Sequence, residues 1–468
     1  MAKIYIFGIG GTGSRVLRSL AMLLAAGVKF EADEIVPVII DPDKANADLT
    51  RTVMLLNNYA KIRNCLTFDS TNPSRFFRTG IYQAMPNYLL QIKDTDDKTF
   101  KQFIAYPSMS KANKAMSRML FSDANLNASM QVGFKGNPNI GSVVLNQIAH
   151  SADFQNFANE FSNGDRIFII SSIFGGTGAS GFPLLLKTLR TAGASMPNSA
   201  LIKNAPIGAI SVLPYFKLEK DDESEIDSST FISKTKSALA YYGKNINGLV
   251  DAMYYIADNI SKTYKNHEGG VAQQNDAHLI ELMAATAIVD FCNTQFDHDA
   301  TNGTVHKELG LKHTDGAVTF ASFYDRLKDM LYRPLTQFTL TANALTCKLS
   351  VYQSKSFNAN NDNFKDLYDS QFFKTLHKFL EKYKEWLTEM KDNIRPLHLF
   401  NLECGDKPFD VVTGVKPKKI LSRLSDYSLI TDRLNSAVKD CKSKSPESKF
   451  MEMFYRATDK LITEKLSN

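Results

Sequence analysis

Asp165-Arg-Ile-Phe-Ile-Ile-Ser-Ser-Ile-Phe-Gly-Gly-Thr-Gly-Ala-Ser-Gly-Phe-Pro-Leu-Leu-Leu-Lys-Thr-Leu-Arg190 decides how the rest of the chain is read. Ile167 to Ile173 is a nearly unbroken apolar run, the pattern of a strand buried on both faces of a parallel sheet. From Pro183 onward apolar residues recur at helical spacing. The turn between them holds Gly175, Gly176 and Gly178, which allow positive φ and a close approach of backbone to ligand. Thr177 and Ser180 add hydroxyl donors beside Ala179 at the start of the helix, where unpaired backbone N–H groups favour an anion. Alone, the segment reads either as a phosphate cradle or as a tight strand-to-helix turn without a ligand.

Outward from this stretch the pattern repeats. Lys3 to Phe7 is apolar, Gly8-Ile-Gly-Gly-Thr-Gly13 follows, and an amphipathic helix runs to about Ala26. That second loop, taken alone, could begin a dinucleotide-binding Rossmann unit. The next strand, Glu34 to Asp41, ends in acid, and Asp43 stands two residues on, where a Rossmann fold reads a ribose. Val132 to Gly141 is a turn-forming cluster that enters a helix over Ser142 to His150. A strand over Pro206 to Pro214, a helix over Ser228 to Gly243, an apolar run over Met253 to Ala257 and a long helix from about Asn275 to Asn293 complete the first half. This βαβα order predicts an α/β fold with a mostly parallel sheet covered on both faces, and ligand loops gathered on one rim.

Composition sets the bounds. At 468 residues, 44% apolar and 22% charged, the chain is ordinary globular material for two or three domains. The N-terminal apolar stretch, Leu20 to Val28, is far shorter than the roughly 20 residues of a membrane span, and no cleavage-site pattern suggests secretion. Five scattered cysteines read as buried or free thiols in a reducing cytoplasm. From Lys416 onward twelve Lys/Arg face seven Asp/Glu, so nearly all of the net +6 is C-terminal. Such a region suits an acidic partner, nucleic acid, an anionic membrane surface, or simply a solvated helical face.

The second half is less informative. Phe320 to Leu331 reads as helix, Thr336 to Tyr352 contains alternating stretches of strand type, Asn358 to Asn363 is a plausible linker, and Gln371 to Met390 is a strong amphipathic helix. His298, His306 and His313 with nearby acids match no compact metal motif and read as polar loop. His278 and Glu281, one helical turn apart, read as a hydrogen-bonding pair across an interface. No serine, cysteine or histidine arrangement suggests a covalent nucleophile.

With the loops in order, the sequence resembles the tubulin/FtsZ superfamily of GTP-binding proteins, as a divergent prokaryotic member. Gly175-Gly-Thr-Gly-Ala-Ser-Gly-Phe-Pro183 is similar to the family's Thr-Gly signature, and Gly8 to Arg15 looks like its first glycine loop, with Arg15 where FtsZ carries Asn. Gly136-Asn-Pro-Asn-Ile-Gly141 is similar to the third loop, Ala-Asn-Pro-Glu-Val-Gly in FtsZ, with Asn139 in place of Glu. Asp43-Lys-Ala45, Val212 to Phe216 with Glu219, Ile256-Ala-Asp-Asn259, and Asn275-Asp276 resemble further segments, so the likeness spans roughly residues 1 to 293.

The resemblance implies a Rossmann-like tubulin/FtsZ GTPase domain over residues 1–274 with a long insertion over about 45–130, a central helix over 275–293, and a divergent second α+β domain with a basic helical C-terminus over 294–468. It implies GTP or GDP with Mg2+ carried by the nucleotide rather than by protein ligands. Gly10, Gly11, Thr12, Gly13, Gly136, Asn137, Pro138, Asn139 and Gly175 to Ser180 would hold phosphates. Arg15, Asp43, Glu219, Asp258, Asn259, Asn275 and Asp276 would serve base and ribose. In FtsZ two carboxylates after the central helix activate water on the next subunit's nucleotide; here Asp297 and Asp299 lack that spacing, so slow hydrolysis in head-to-tail filaments is expected. The alternatives are a nucleotide-binding module that does not polymerise, and a Rossmann NAD-dependent oxidoreductase, which needs only one glycine loop.

Overall fold

The computed structural model describes residues 2–131, 133–134, 136–218, 228–258, 263–264, 270–272, 274–296, 303–308, 310–312, 316–353, 364–403, 405–419 and 425–466. Seven parallel strands form its centre: β1 (Lys3–Ile9), β2 (Glu34–Ile40), β3 (Gly80–Ile81), β4 (Arg166–Ser172), β5 (Ile207–Val212), β6 (Ala252–Ile256) and β7 (Val305–Glu308). Their order is β3-β2-β1-β4-β5-β6-β7. The chain thus builds outward in one direction from β1, returns, and builds in the other from β4. The order reverses between β1 and β4, which pair with Gly8 opposite Ile170. In open α/β sheets the crevice above the carboxyl ends of two such strands is where ligands bind. Six of the seven residues in each of β1, β2 and β4 are buried, as the unbroken apolar runs require of strands covered on both faces.

One face carries α1 (Gly10–Ala25), α2 (Ala47–Asn64) and α7 (Leu279–Cys292); the other carries α3 (Pro138–Leu145), α4 (Ala152–Glu160), α5 (Gly176–Arg190) and α6 (Ser228–Asn245). All fourteen residues of α7 are buried, so it is a central helix in the physical sense. It packs on α1 and lies over β5 and β6. Its Asp290 accepts from Tyr254 at 2.7 Å and pairs with Lys307 and Arg326, tying two strands and the next helix to one buried carboxylate.

The second half is helical: α8 (Asp325–Cys347), α9 (Gln371–Asp392), α10 (Asp426–Asp440) and α11 (Pro446–Leu461). Among its described residues, β structure is confined to β7 and to isolated bridges such as Val318 to Leu397 and Phe400 to Val412. The alternating stretch from Thr336 is helix as far as Cys347, because Thr336, Thr339 and Thr341 are buried against neighbouring helices and packing overrides their strand preference. The sheet takes its last strand, β7, from beyond residue 293, and α9 packs on α2. Trp386 of α9, fully buried and the only tryptophan, donates to Ser19 of α1 at 3.3 Å.

Cys65, Cys292 and Cys441 are free thiols. Cys347 is disulfide-bonded, which departs from the expectation that every cysteine stands unpaired. No helix is long and apolar enough to cross a membrane among the described residues.

Candidate functional site

Three helices start at the reversal point. β1 passes straight into α1 through Gly10, whose φ is +72°, a conformation that favours glycine. β4 passes into α5 through Gly175. α3 starts after Gly136, again with φ +72°, and with Pro138 in its first turn. The three starts touch one another. A Cβ on Gly10 would stand 3.5 Å from Thr177 Cβ, one on Gly133 would stand 4.0 Å from Thr177 Oγ1, and one on Gly176 would lie 3.0 Å from Asn137 N and 3.1 Å from Gly136 N. Thr177 is therefore the side chain at the middle of the cluster.

The helix starts share a second property. In α2, α4, α9, α10 and α11 an Asn or Ser side chain accepts from the first-turn amides. In α1, α5 and α3 no side chain caps the first turn, and none of the three first turns contains an acid. A helix start leaves N–H groups without intrahelical partners and carries about half a positive charge. Three such starts pointing into one crevice make a site for an anion that can accept several N–H bonds at once.

Other glycines serve packing. A Cβ on Gly13 would lie 2.3 Å from the Gly8 carbonyl carbon, so α1 approaches β1 as closely as glycine allows. Gly178 is pressed against Ser172 in the same way. The Ser180 hydroxyl is buried and donates to the Gly176 carbonyl at 2.7 Å, so it ties the first turn of α5.

Beside this crevice lies a buried ionic network. Arg15 Nε donates to Glu281 at 2.6 Å, and its other nitrogens donate to Asp48 and to the Tyr215 hydroxyl, each at 3.2 Å. Asp48 also accepts from the backbone and side chain of Asn275, at 3.1 and 2.8 Å. Glu389 of α9 accepts from Arg18 at 2.7 Å, from Arg51 at 3.0 Å and from the Ala277 amide at 2.8 Å. His278 and Glu281 form the capping box of α7, with Ile280 N–H donating to His278 Nδ1 at 3.0 Å. Burial, together with Arg15 and Arg395, pulls the His278 imidazole down to about 4, so it is neutral there. The hydrogen-bonding reading of that pair is the one the geometry carries.

Of the base and ribose candidates, Arg15 and Asn275 are thus engaged within the network. Asp43 is buried and accepts from Gly270 N–H at 2.7 Å. Asp258 pairs with Arg395 across 3.6 Å. Asp276 is exposed, with its carboxyl raised by partial burial and by Glu389. Glu219, Asn259, Asp297 and Asp299 lie outside the described residues. No group of His, Cys, Asp and Glu suited to a metal ion occurs among the described residues.

Four participants escaped the sequence reading. Asp48, Tyr215 and Glu389 carry no local motif; only the fold brings them to Arg15, Arg18 and Arg51. Lys234 of α6 donates to the Gly136 carbonyl at 2.9 Å and sets an ammonium group beside the start of α3. It lies in a run rich in Lys, Ser and Thr that resembles any solvated helix.

Solved tubulin/FtsZ-superfamily structures are similar to this chain. CetZ2 from Haloferax volcanii, a GTPγS-bound protofilament, is 13% identical over 55% of this chain and 49% of its own, with a TM-score of 0.27. CetZ1 from the same organism, a GDP-bound monomer, is 13% identical over 55% and 51%, at 0.27. An empty FtsZ dimer from M. jannaschii is 17% identical over 55% and 45%, at 0.27. The chain spans about half the length of these structures. No family model and no curated protein matches it.

Proposed function

We propose that this chain binds a guanine nucleotide in the crevice between β1 and β4, with the phosphates on the first turns of α1, α5 and α3. One observation carries the reading: the three helix starts that meet at the reversal point all lack side-chain caps and first-turn acids. A single dinucleotide pyrophosphate needs one glycine turn, and a Rossmann oxidoreductase leaves the Gly175 and Gly136 turns without a task. A chain of two or three phosphates uses all three. Guanine, rather than another base, follows from the order of the glycine segments that resemble the tubulin/FtsZ superfamily.

In this reading the amides of Gly10 to Gly13 and Gly176 to Gly178 donate to the inner phosphates, the Gly136 to Asn139 turn and Lys234 face the terminal one, and Asp276 lies at the base. Mg2+ enters with the nucleotide and neutralises phosphate charge. Head-to-tail self-association with slow hydrolysis belongs to the same proposal, with Asp297 and Asp299 as the nearby acids. A contact of that kind is heterologous and generates an open polymer.

Calorimetry of the full chain with GTP, GDP, ATP and NAD in the presence of magnesium tests the site. Guanine nucleotides are expected to bind best, and NAD binding without GTP binding refutes the reading. Sedimentation with GTP then separates a polymer from a nucleotide-binding module that stays monomeric.

A further inference from the structure

From Lys98 to Ser122 the chain carries five Lys or Arg and not one Asp or Glu. This run lies in an excursion from the α/β core, closed at its base by Phe100 N–H to Ala128 O at 2.9 Å and Met130 N–H to Lys98 O at 3.0 Å. Phe100 and Phe121 pack ring to ring at 4.8 Å inside it. Its crest is the helix Lys111–Leu120, started by Ser110, which accepts from Asn113 N–H at 3.2 Å.

That helix is amphipathic in the reverse of the usual sense. At 100° per residue, Ala112, Ala115, Met116, Met119 and Leu120 fall within an arc of about 140°. Ser117, the helix's one buried residue, lies on the opposite side. The apolar stripe therefore faces water: Met119 is 87% exposed, Met116 63% and Leu120 62%. Lys111, Lys114 and Arg118 occupy the remainder of the surface.

We infer that this helix docks on an anionic lipid surface. The stripe of one ten-residue helix offers a few hundred Å² at most, against the roughly 800 Å² per partner of a stable protein complex. A receptor groove grips a helix through large side chains spaced along its length. Here the first half of the helix offers only alanine, and the large residues crowd the second half. A lipid interface has no shape to match. It takes Met116, Met119 and Leu120 among its acyl chains, and its headgroups take the cations, of which, among the described residues, Lys98 alone is paired with an acid, Asp94 at 3.1 Å. The charge that points to a membrane thus lies in the insertion as much as in the C-terminal region.

Co-sedimentation of the full chain with vesicles tests this, using phosphatidylcholine alone and phosphatidylcholine with phosphatidylglycerol. Binding is expected only with phosphatidylglycerol and is expected to fall with salt. Met116→Glu with Met119→Glu, and separately Lys111→Glu with Arg118→Glu, are each expected to weaken it roughly tenfold or more. Both pairs sit on exposed positions, and circular dichroism checks that each variant keeps its fold. No binding to either vesicle overturns the inference, as does undiminished binding by both variants, which moves the contact to another surface. If the chain forms dimers without vesicles and Met119→Glu makes it monomeric, the stripe faces a second copy and the lipid assignment falls.

Discussion

Asp41→Asn should stabilise this protein above neutral pH and leave it unchanged in acid. Asp41 follows β2 at the rim of the sheet, is buried, and accepts the Asp43 N–H at 3.0 Å. Burial, with Asp43 and Asp48 nearby, pushes its carboxyl up to about 7 against the opposing pull of that one hydrogen bond. A folded pKa above the unfolded one means that folding takes up a proton between about pH 4 and pH 7. The neutral form's stability is therefore intact below about 4 and is lost as pH rises through 7. Three units at 1.36 kcal/mol each put the cost above neutrality at about 4 kcal/mol. Asparagine keeps an oxygen for the Asp43 amide and carries no charge. The variant's advantage should grow from near zero at about pH 4 to about 4 kcal/mol at about pH 8. The wild-type curve alone hides this, because His278 works in the opposite direction. With its folded pKa held near 4, its contribution is full above its ordinary value of 6.5 and is lost as pH falls toward 4. Urea unfolding of both proteins across this range, followed by Trp386 emission, measures the difference. A gap that stays constant with pH refutes the reasoning and means that Asp41 is already ionised in the fold.

Three further outcomes are expected. Thr177→Arg should abolish nucleotide binding in calorimetry while the melting curve stays close to wild type, since the new cation fills the space between three helix starts but lies in a partly exposed turn. Glu389→Ala should cost about 3 kcal/mol in urea unfolding, because it leaves Arg18 and Arg51 without their shared carboxylate; the figure is at the low end for buried pairs because Arg51 keeps 20% of its side chain in water. In hydrogen exchange, replacing GDP by GTP should slow the amides of residues 136 to 140 more than those of residues 10 to 13, and equal responses would contradict the assignment of the terminal phosphate to α3.

β1, β2, β4, β5 and β6 were legible because they are short apolar runs, and their order along the chain leaves few ways to wind a parallel sheet; β3, only two residues long, and β7, a polar strand that takes His306 out of the expected polar loop, were not. The Gly10 and Gly175 turns were legible for the same local reason, since each marks the point where a helix begins, whereas the helix expected from Ser142 starts earlier, at Pro138. Arg15 was legible only as a departure from a motif. Its partners Asp48, Tyr215 and Glu281 are 33, 200 and 266 residues away, and no spacing announces them. Thr336 to Cys347 misled for a physical reason: threonine alternation imitates a strand, but several of these hydroxyls bond back to carbonyls four residues earlier, as in Thr341 to Gln337 at 2.9 Å, and so sit comfortably in a buried helix.

The same geometry decides which part of the site can respond to a ligand. α1 is fixed at three levels. Gly13 abuts Gly8 at its start, Arg15 and Arg18 bind Glu281 and Glu389 along its middle, and its end is closed by Gly27, at φ +80°, with Val28 N–H returning to Leu23 O at 3.1 Å. Glu389 also holds the Ala277 amide, so shifting α1 along its axis would drag the start of the central helix and α9 with it. Breaking either buried pair to allow such a shift would cost several kcal/mol, comparable to the whole stability of many domains. α5 is held where Gly178 meets Ser172. The turn before α3 is built differently: Gly136 and Asn137 are partly exposed, and their ties include a lysine ammonium on one carbonyl and the Asn137 N–H to Phe134 O at 2.7 Å. A phosphate arriving there competes for the Lys234 ammonium and attracts it away from a neutral carbonyl, since a charged acceptor makes the stronger bond. Two helix starts thus form a fixed floor and the third a wall that can respond, so in the proposed nucleotide reading the number of phosphates is expected to be read at Gly136 and not at Gly10.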